Sequence, residues 1–138
     1  MSALADAVDG LVHAPTQRRE DGGVDLTVNE IYTIETPGRI DFGGGELEDA
    51  DRTPHPQAWR DPDDDDYQWW ELSAGTYLIE YNESLSNEAL LQPRTELVER
   101  GGSHPTLRVT ALPRVPLTVN RAGLRVKSNA CVSTLLPV

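Results

Sequence analysis

The chain has 138 residues, enough for one domain with one hydrophobic core, and no apolar run approaches the roughly 18 residues needed to cross a bilayer. Its 23 acidic residues against 12 basic ones give a formal net charge of −11, which repels nucleic acid and anionic membranes. The single cysteine, Cys131, excludes an intrachain disulfide and a cysteine zinc cluster, and the three histidines, His13, His55 and His104, are scattered.

Lys127 is the only lysine. Acid excess with lysine nearly eliminated is the surface expected of a protein from a salt-loaded, halophilic cytoplasm, where a Debye length of about 3 Å at 1 M salt lets dense carboxylates coexist. On that reading the acidic surface is adaptation to solvent and says nothing about a ligand. The opening "MSALADAVDGLVHAP" carries acids and no basic region, so it does not read as a secretory signal, and a cytoplasmic location is expected.

In chain order, Ala3, Leu4, Val8, Leu11 and Val12 recur at helical spacing, which predicts a short amphipathic helix over 2–12, ended by Pro15. "QRREDGG" is a polar turn. "VDLTV" alternates with Val24, Leu26 and Val28 on one face and reads as a strand, which "EIYTIET" continues or pairs with before Pro37-Gly38. Residues 43–68, dominated by Gly, Pro and Asp with no period, read as an acidic surface-loop insertion. "TYLIEYN", "TLRVTAL", "PLTV", "GLRV" and "ACVSTLL" then read as strands, with "NRAG" as a turn. Six or more short strands at regular spacing predict a single all-β domain over 1–138, a sandwich or barrel.

The segment "QPRTELVERGG", 92–102, carries the sharpest signal. As plain structure, Thr95 is an acceptable helix N-cap, Glu96 sits in the first turn, Arg100 in the last, and Gly101 is the stop. That accounts for everything except Gln92-Pro93-Arg94. The order of the segment resembles the second motif of the dUTPase/dCTP deaminase superfamily, Pro-Arg-Ser-Ser-Leu followed by a basic residue and a glycine. "GGVDL", 22–26, resembles the first motif. "YLIEYNESLSNEALLQPR" resembles the approach to the second, with Glu83 matching an acidic residue of structural role. "GLRVKSNACVSTLLP" resembles the last core strand. The resemblance covers roughly residues 22–137 apart from the insertion.

It implies a distorted β-barrel or jelly-roll subunit that assembles as a homotrimer with sites at subunit boundaries, acting on deoxypyrimidine nucleoside triphosphates, dUTP or dCTP. The hydrolases use Mg²⁺ with the nucleotide, and the deaminases work without zinc. Carried over residue by residue, Arg94 matches the phosphate-binding arginine and Thr95 the first serine. Glu96 stands in place of the second serine, Arg100 one position beyond the usual basic residue, Thr134 where the last strand has glutamine, and Asp25 at the first-motif aspartate.

The departures are as informative. Glu96 and Glu99 bring carboxylates towards a triphosphate, and unit charges 4 Å apart repel by about 1 kcal/mol even in bulk water. The third motif, which supplies the catalytic acid, has no counterpart: "SHPTLRVTALPRVPLTV" contains no Asp, Glu or Tyr. His104 is a general base by chemistry alone and a solvated loop residue by context. "DPDDDDYQWW" reads as a hydrated charge run rather than a dedicated cation loop, and Trp59, Trp69 and Trp70 are candidates for stacking on a base or sugar, with at least one of the adjacent pair in the core. Three functions therefore stand: binding or turnover of a deoxypyrimidine nucleotide, a catalytically inactive relative acting as a trimeric scaffold or ligand sensor, and a carbohydrate- or partner-binding sandwich that uses the tryptophans.

Overall fold

A computed structural model of the chain describes residues 3–58 and 67–138. Trp59 and the acidic run 61–66 lie outside the described residues. The elements are α1 (Ala3–Asp6), β1 (Val8–Asp9), α2 (Ala14–Gln17), β2 (Val24–Ile34), β3 (Arg52–Pro54), β4 (Gln57–Ala58), β5 (Trp69–Leu72), β6 (Gly75–Tyr81), β7 (Ser84–Leu85) and β8 (Ala89–Pro93). They continue with α3 (Thr95–Glu99), β9 (Gly102–Ser103), β10 (Leu107–Val109), β11 (Val115–Val119), β12 (Leu124–Lys127) and β13 (Cys131–Leu136).

One antiparallel sheet of eight strands, ordered β10-β8-β13-β2-β6-β11-β9 with β3 on the far end of β2, curls into a half-barrel. A second sheet, β12-β5-β4, packs beside it, and β1 pairs with β7. Leu26, Ile31, Ile79, Leu91, Leu117 and Leu135 are fully enclosed at its centre. The all-β expectation with a short N-terminal helix is met.

β2 explains much of the architecture. Its first half pairs with β13 and its second half with β6 and then β3. The register shifts between Val28 and Glu30. A one-residue bulge reverses which parity faces inward, so Leu26 and Val28 are buried, and so is Ile31. The alternation read over 24–28 is therefore correct and stops where the bulge begins.

Three expectations need correction. The 2–12 helix unwinds after Asp6: Val8 leaves it to pair with Leu85 as a strand, and Ser86 N–H donates to the Ala7 carbonyl at 2.9 Å. Four residues are too few to offset helix nucleation, and β-branched Val8 gains more in a ladder. Pro15 starts α2 instead of ending a helix, its missing N–H being harmless in a first turn. Within 43–68, β3 pairs with β2 and β4 with β5, so the segment is not structureless. The "NRAG" turn forms, with Gly123 at φ 87°, but β11 and β12 enter different sheets instead of pairing with each other.

Candidate functional site

At the end of β8, three strands bring one row of residues together. Thr134 in β13 lies opposite Gln92 on one side and Asp25 in β2 on the other. Neighbours across an antiparallel pair share a face, and Thr134 Oγ1 donates to Asp25 Oδ1 at 2.8 Å. Both side chains are buried because α2 and the turn around Glu83 cover this outer face of β2.

Glu83 anchors that cover. It accepts from the Thr27 N–H at 3.0 Å, from the Thr27 hydroxyl and from Gln17 Nε2 at 2.8 Å. Gln17 also donates to the Asp25 carbonyl at 2.9 Å. The structural role implied for Glu83 is thus visible as a buried carboxylate bonded on three sides.

Two residues beyond Gln92, Arg94 turns the chain into α3. Its N–H donates to the Val132 carbonyl at 3.0 Å, and its own carbonyl accepts from Leu97 and Val98. Extended at φ −71°, ψ 149°, Arg94 is the N-cap, which makes Thr95 the first helical residue and not the cap expected for it. The Arg94 guanidinium, 21% exposed, reaches Glu96 Oε2 at 3.0 Å and the Cys131 carbonyl at 3.4 Å. Its buried Nε has no hydrogen-bond partner and stands 3.7 Å from Asp25 Oδ2, an ion-pair distance too long for a hydrogen bond.

A second guanidinium converges on the same corner. Arg19 Nη1 lies 3.5 Å from Asp25 Oδ1, and Arg19 Nη2 lies 3.1 Å from Asp21 Oδ2. The hydrogen bond to Asp21, with Asp25 nearby, raises the Arg19 pKa despite some desolvation; the same bond, with the Gly23 N–H, lowers that of Asp21. Arg19, Asp21, Gln92, Arg94, Thr95, Glu96 and Thr134 line a cavity of about 160 Å³. At roughly 30 Å³ per water, that is room for a phosphate-sized anion and not for a whole nucleoside.

The structure thus gathers four of the expected site residues, Arg94, Thr95, Glu96 and Thr134, around one cavity with Asp25 behind them. Arg100 lies apart: it donates to the Glu96 carbonyl at 3.0 Å and lines two adjoining depressions. Arg19 and Asp21 were missed because "QRREDGG" carries only a turn signal. The Arg18–Val24 bridge that swings them over the site is a tertiary fact.

His104 is neither a solvated loop residue nor an accessible base. It is 7% exposed, and burial lowers its pKa against the pull of the Pro105 carbonyl. With Nδ1–H donating to that carbonyl at 2.9 Å, Nε2 is the acceptor for the Ser133 hydroxyl at 2.7 Å. Ser133 in turn lies 2.6 Å from the Tyr81 hydroxyl. Burial likewise raises the Cys131 thiol, which argues against a thiolate nucleophile. Of the adjacent tryptophans, Trp70 is core and Trp69 is half-buried.

A mostly antiparallel, curled half-barrel with a few short helices places the chain in the class of dUTPase-like β folds. No protein-family model matches the chain. It is 32% identical over 145 residues to a probable deoxyuridine 5'-triphosphate nucleotidohydrolase of Methanosarcina acetivorans, covering 99% of this chain and 80% of the relative. A protein of the same description from Methanosarcina mazei is 29% identical over 126 residues, covering 85% of this chain and 70% of the relative. The crystal structure of 2'-deoxycytidine 5'-triphosphate deaminase from Agrobacterium tumefaciens superposes with a TM-score of 0.58 at 11% identity; the match covers 95% of this chain but only 43% of the deaminase chain. The chain belongs to the dUTPase/dCTP deaminase superfamily.

Proposed function

We propose that the protein binds deoxypyrimidine nucleoside triphosphates, dUTP or dCTP, with a phosphate group seated in the Arg94 corner. The observation that carries this is the convergence of two guanidiniums, Arg94 and Arg19, with the hydroxyl-bearing Thr95 and Thr134 on one phosphate-sized cavity. Planar guanidinium forks match phosphate oxygens in pairs. In the free protein Glu96 occupies one arm of the Arg94 fork, so binding requires that exposed carboxylate to swing aside.

Mg²⁺, where it takes part, is carried mainly by the nucleotide. Among the described residues no group of three His, Cys, Asp or Glu side chains forms a cage, and Asp21, Asp25 and Glu96 are engaged by arginines. Mg²⁺ prefers to keep several waters and phosphate oxygens in such settings. It would neutralise phosphate charge beside Glu96 and Asp21.

A second reading, binding without turnover, is supported by a specific feature. From Arg100 to Val138 there is no acidic residue at all, and the single imidazole there has both nitrogens engaged. The stretch therefore offers no carboxylate and no free imidazole to activate water or shuttle a proton. On this reading the protein is a nucleotide sensor or scaffold. The superfamily resemblance adds homotrimeric assembly to either reading, and the acid-rich, lysine-poor composition adds a salt-rich cytoplasm.

Calorimetric titration with dUTP and dCTP, with and without Mg²⁺ in molar KCl, tests the proposal. Binding is expected for at least one nucleotide. Arg94→Ala should weaken it at least tenfold, and Arg94→Lys should recover only part, because an ammonium lacks the fork; tenfold is about 1.4 kcal/mol. No heat with either nucleotide would overturn the proposal. A parallel turnover assay separates the two readings.

A further inference from the structure

The outer face of the large sheet carries two further guanidiniums. The register sets Pro54, Tyr32, Leu78 and Pro116 directly opposite one another across β3, β2, β6 and β11. Opposed residues share a face. Their chain neighbours Ile31, Ile79 and Val115 are fully enclosed, so this row points the other way, out from the core. It is apolar where an antiparallel sheet usually turns polar groups to water. Ile34, 38% exposed, extends it along β2.

Arg52 and Arg114 reach the one aromatic ring of that row. The Arg52 Cζ lies 5.0 Å from the Tyr32 ring centroid and the Arg114 Cζ 5.8 Å. Such contacts orient a guanidinium without using its N–H groups. The two charges are met differently. Arg114 Nε donates to Glu80 Oε1 at 3.3 Å, and Glu80 is also held by Asn29 Nδ2 at 3.0 Å and by the Tyr32 hydroxyl at 3.4 Å. That leaves the terminal nitrogens of Arg114, whose side chain is 41% exposed, without an acceptor among the described residues.

Arg52 has less. Its Nε is buried with no hydrogen-bond partner, and among the described residues the side chain forms no ion pair. Carboxylates are not scarce, at 23 in the chain, but the register keeps them off this side of Tyr32. Arg52 stands opposite Ile34, while Glu30 and Glu80 oppose each other beyond the Tyr32 row. Glu35 is bonded to the Thr53 hydroxyl at 2.8 Å. A charged donor that is partly enclosed and unpaired is costly to keep. An oxyanion arriving over an apolar floor satisfies it, and the low local dielectric strengthens the contact.

We propose that this face is a second anion site. It takes a compact ligand with two oxyanion groups, one on the Arg52 fork and one on the terminal nitrogens of Arg114. Both guanidiniums stand beside one ring, so a diphosphate or a short dicarboxylate spans them, and guanidinium forks match either chemistry. The site is separate from the Arg94 corner: Tyr32 lies seven residues beyond Asp25 on β2, about 23 Å at strand rise. It does not depend on what that corner binds.

Proton–nitrogen correlation spectra of the full chain in molar KCl, titrated with pyrophosphate and separately with succinate, test it. The Arg52 Nε–H resonance is identified by its absence from Arg52→Gln. It is expected to shift and saturate with at least one of the two anions, and the one that acts assigns the ligand to phosphates or to carboxylates. Calorimetry on Arg94→Ala, which lacks the corner's guanidinium, should give the same affinity as the wild type. Adding Arg52→Gln or Arg114→Gln to it should weaken binding at least tenfold each. Arg52→Lys keeps the charge without the fork and should recover only part; it replaces Arg52→Gln if that variant loses its near-ultraviolet circular dichroism. An Arg52 resonance unmoved by both anions, an affinity unchanged by the Arg52 substitutions, or binding lost in Arg94→Ala would each overturn the inference.

Discussion

At the scale of single residues, the molecule separates groups that hold the fold from groups that face the solvent-filled corner, although both are polar. Glu83 and His104 belong to the first kind, each buried and bonded through both ends of its side chain. His104 makes a pH prediction. Burial lowers its folded pKa below the ordinary 6.5, so between those two values the unfolded chain binds a proton that the folded chain refuses. Stability from this group is complete above the unfolded value and drains away as pH falls below it. The urea midpoint should therefore drop as pH falls below 6.5. His104→Gln, which keeps an acceptor for Ser133 without titrating, should lower the midpoint at neutral pH and flatten its slope with pH. A wild-type slope unchanged in the variant would show that the proton goes elsewhere.

At the scale of elements, the α3 turn shows how a motif can be legible while its mechanics are not. The glycine stop was read correctly: Gly101 has φ 87°, a conformation that costs a side-chain-bearing residue roughly 1–2 kcal/mol. The sequence could not show that Asn120, nineteen positions on, lies against it. The Asn120 amide donates to the carbonyls of Arg100, Gly101 and Gly123, each at 3.2 Å, and so ties the helix end to the turn before β12. A Cβ at position 101 would overlap that amide nitrogen. Gly101→Ala should cost about 2–3 kcal/mol, adding one or more lost hydrogen bonds to the backbone term. Urea unfolding gives the value directly, and a loss below the backbone term alone would mean that the amide bridge contributes nothing. The N-cap was misassigned by one residue for a related reason. Thr95 has the right chemistry, but the ladder bond from Arg94 to Val132 decides where β8 ends and the helix begins.

At the scale of the whole molecule, the formal net charge of −11 sets the dependence on salt. If the acid surface is adapted to a salt-rich solvent, the melting temperature should rise steeply as KCl is raised from about 0.1 M to about 1 M, where the Debye length falls from about 10 Å to about 3 Å. Differential scanning fluorimetry across that series checks it, and a flat response would remove the solvent-adaptation reading. The charge is also unevenly placed along the chain: the last 39 residues carry no acid, and their strands β9–β13 are distributed over both sheets.

The sequence by itself determined the all-β class, the strands whose period-2 pattern is uninterrupted and the superfamily resemblance, and it singled out Arg94, Thr95, Glu96 and Thr134, which the structure sets around one cavity. Those follow from local periodicity and from the order of short motifs, both of which survive in one dimension. Only the tertiary structure decided that Arg19 joins Arg94 at that cavity, that Arg100 lines the adjoining depressions, that His104 is buried and that Phe42 is exposed. Each of those depends on which strands pair and where β2 bulges, and a one-residue change of register, set by packing against distant strands, is invisible to any local pattern.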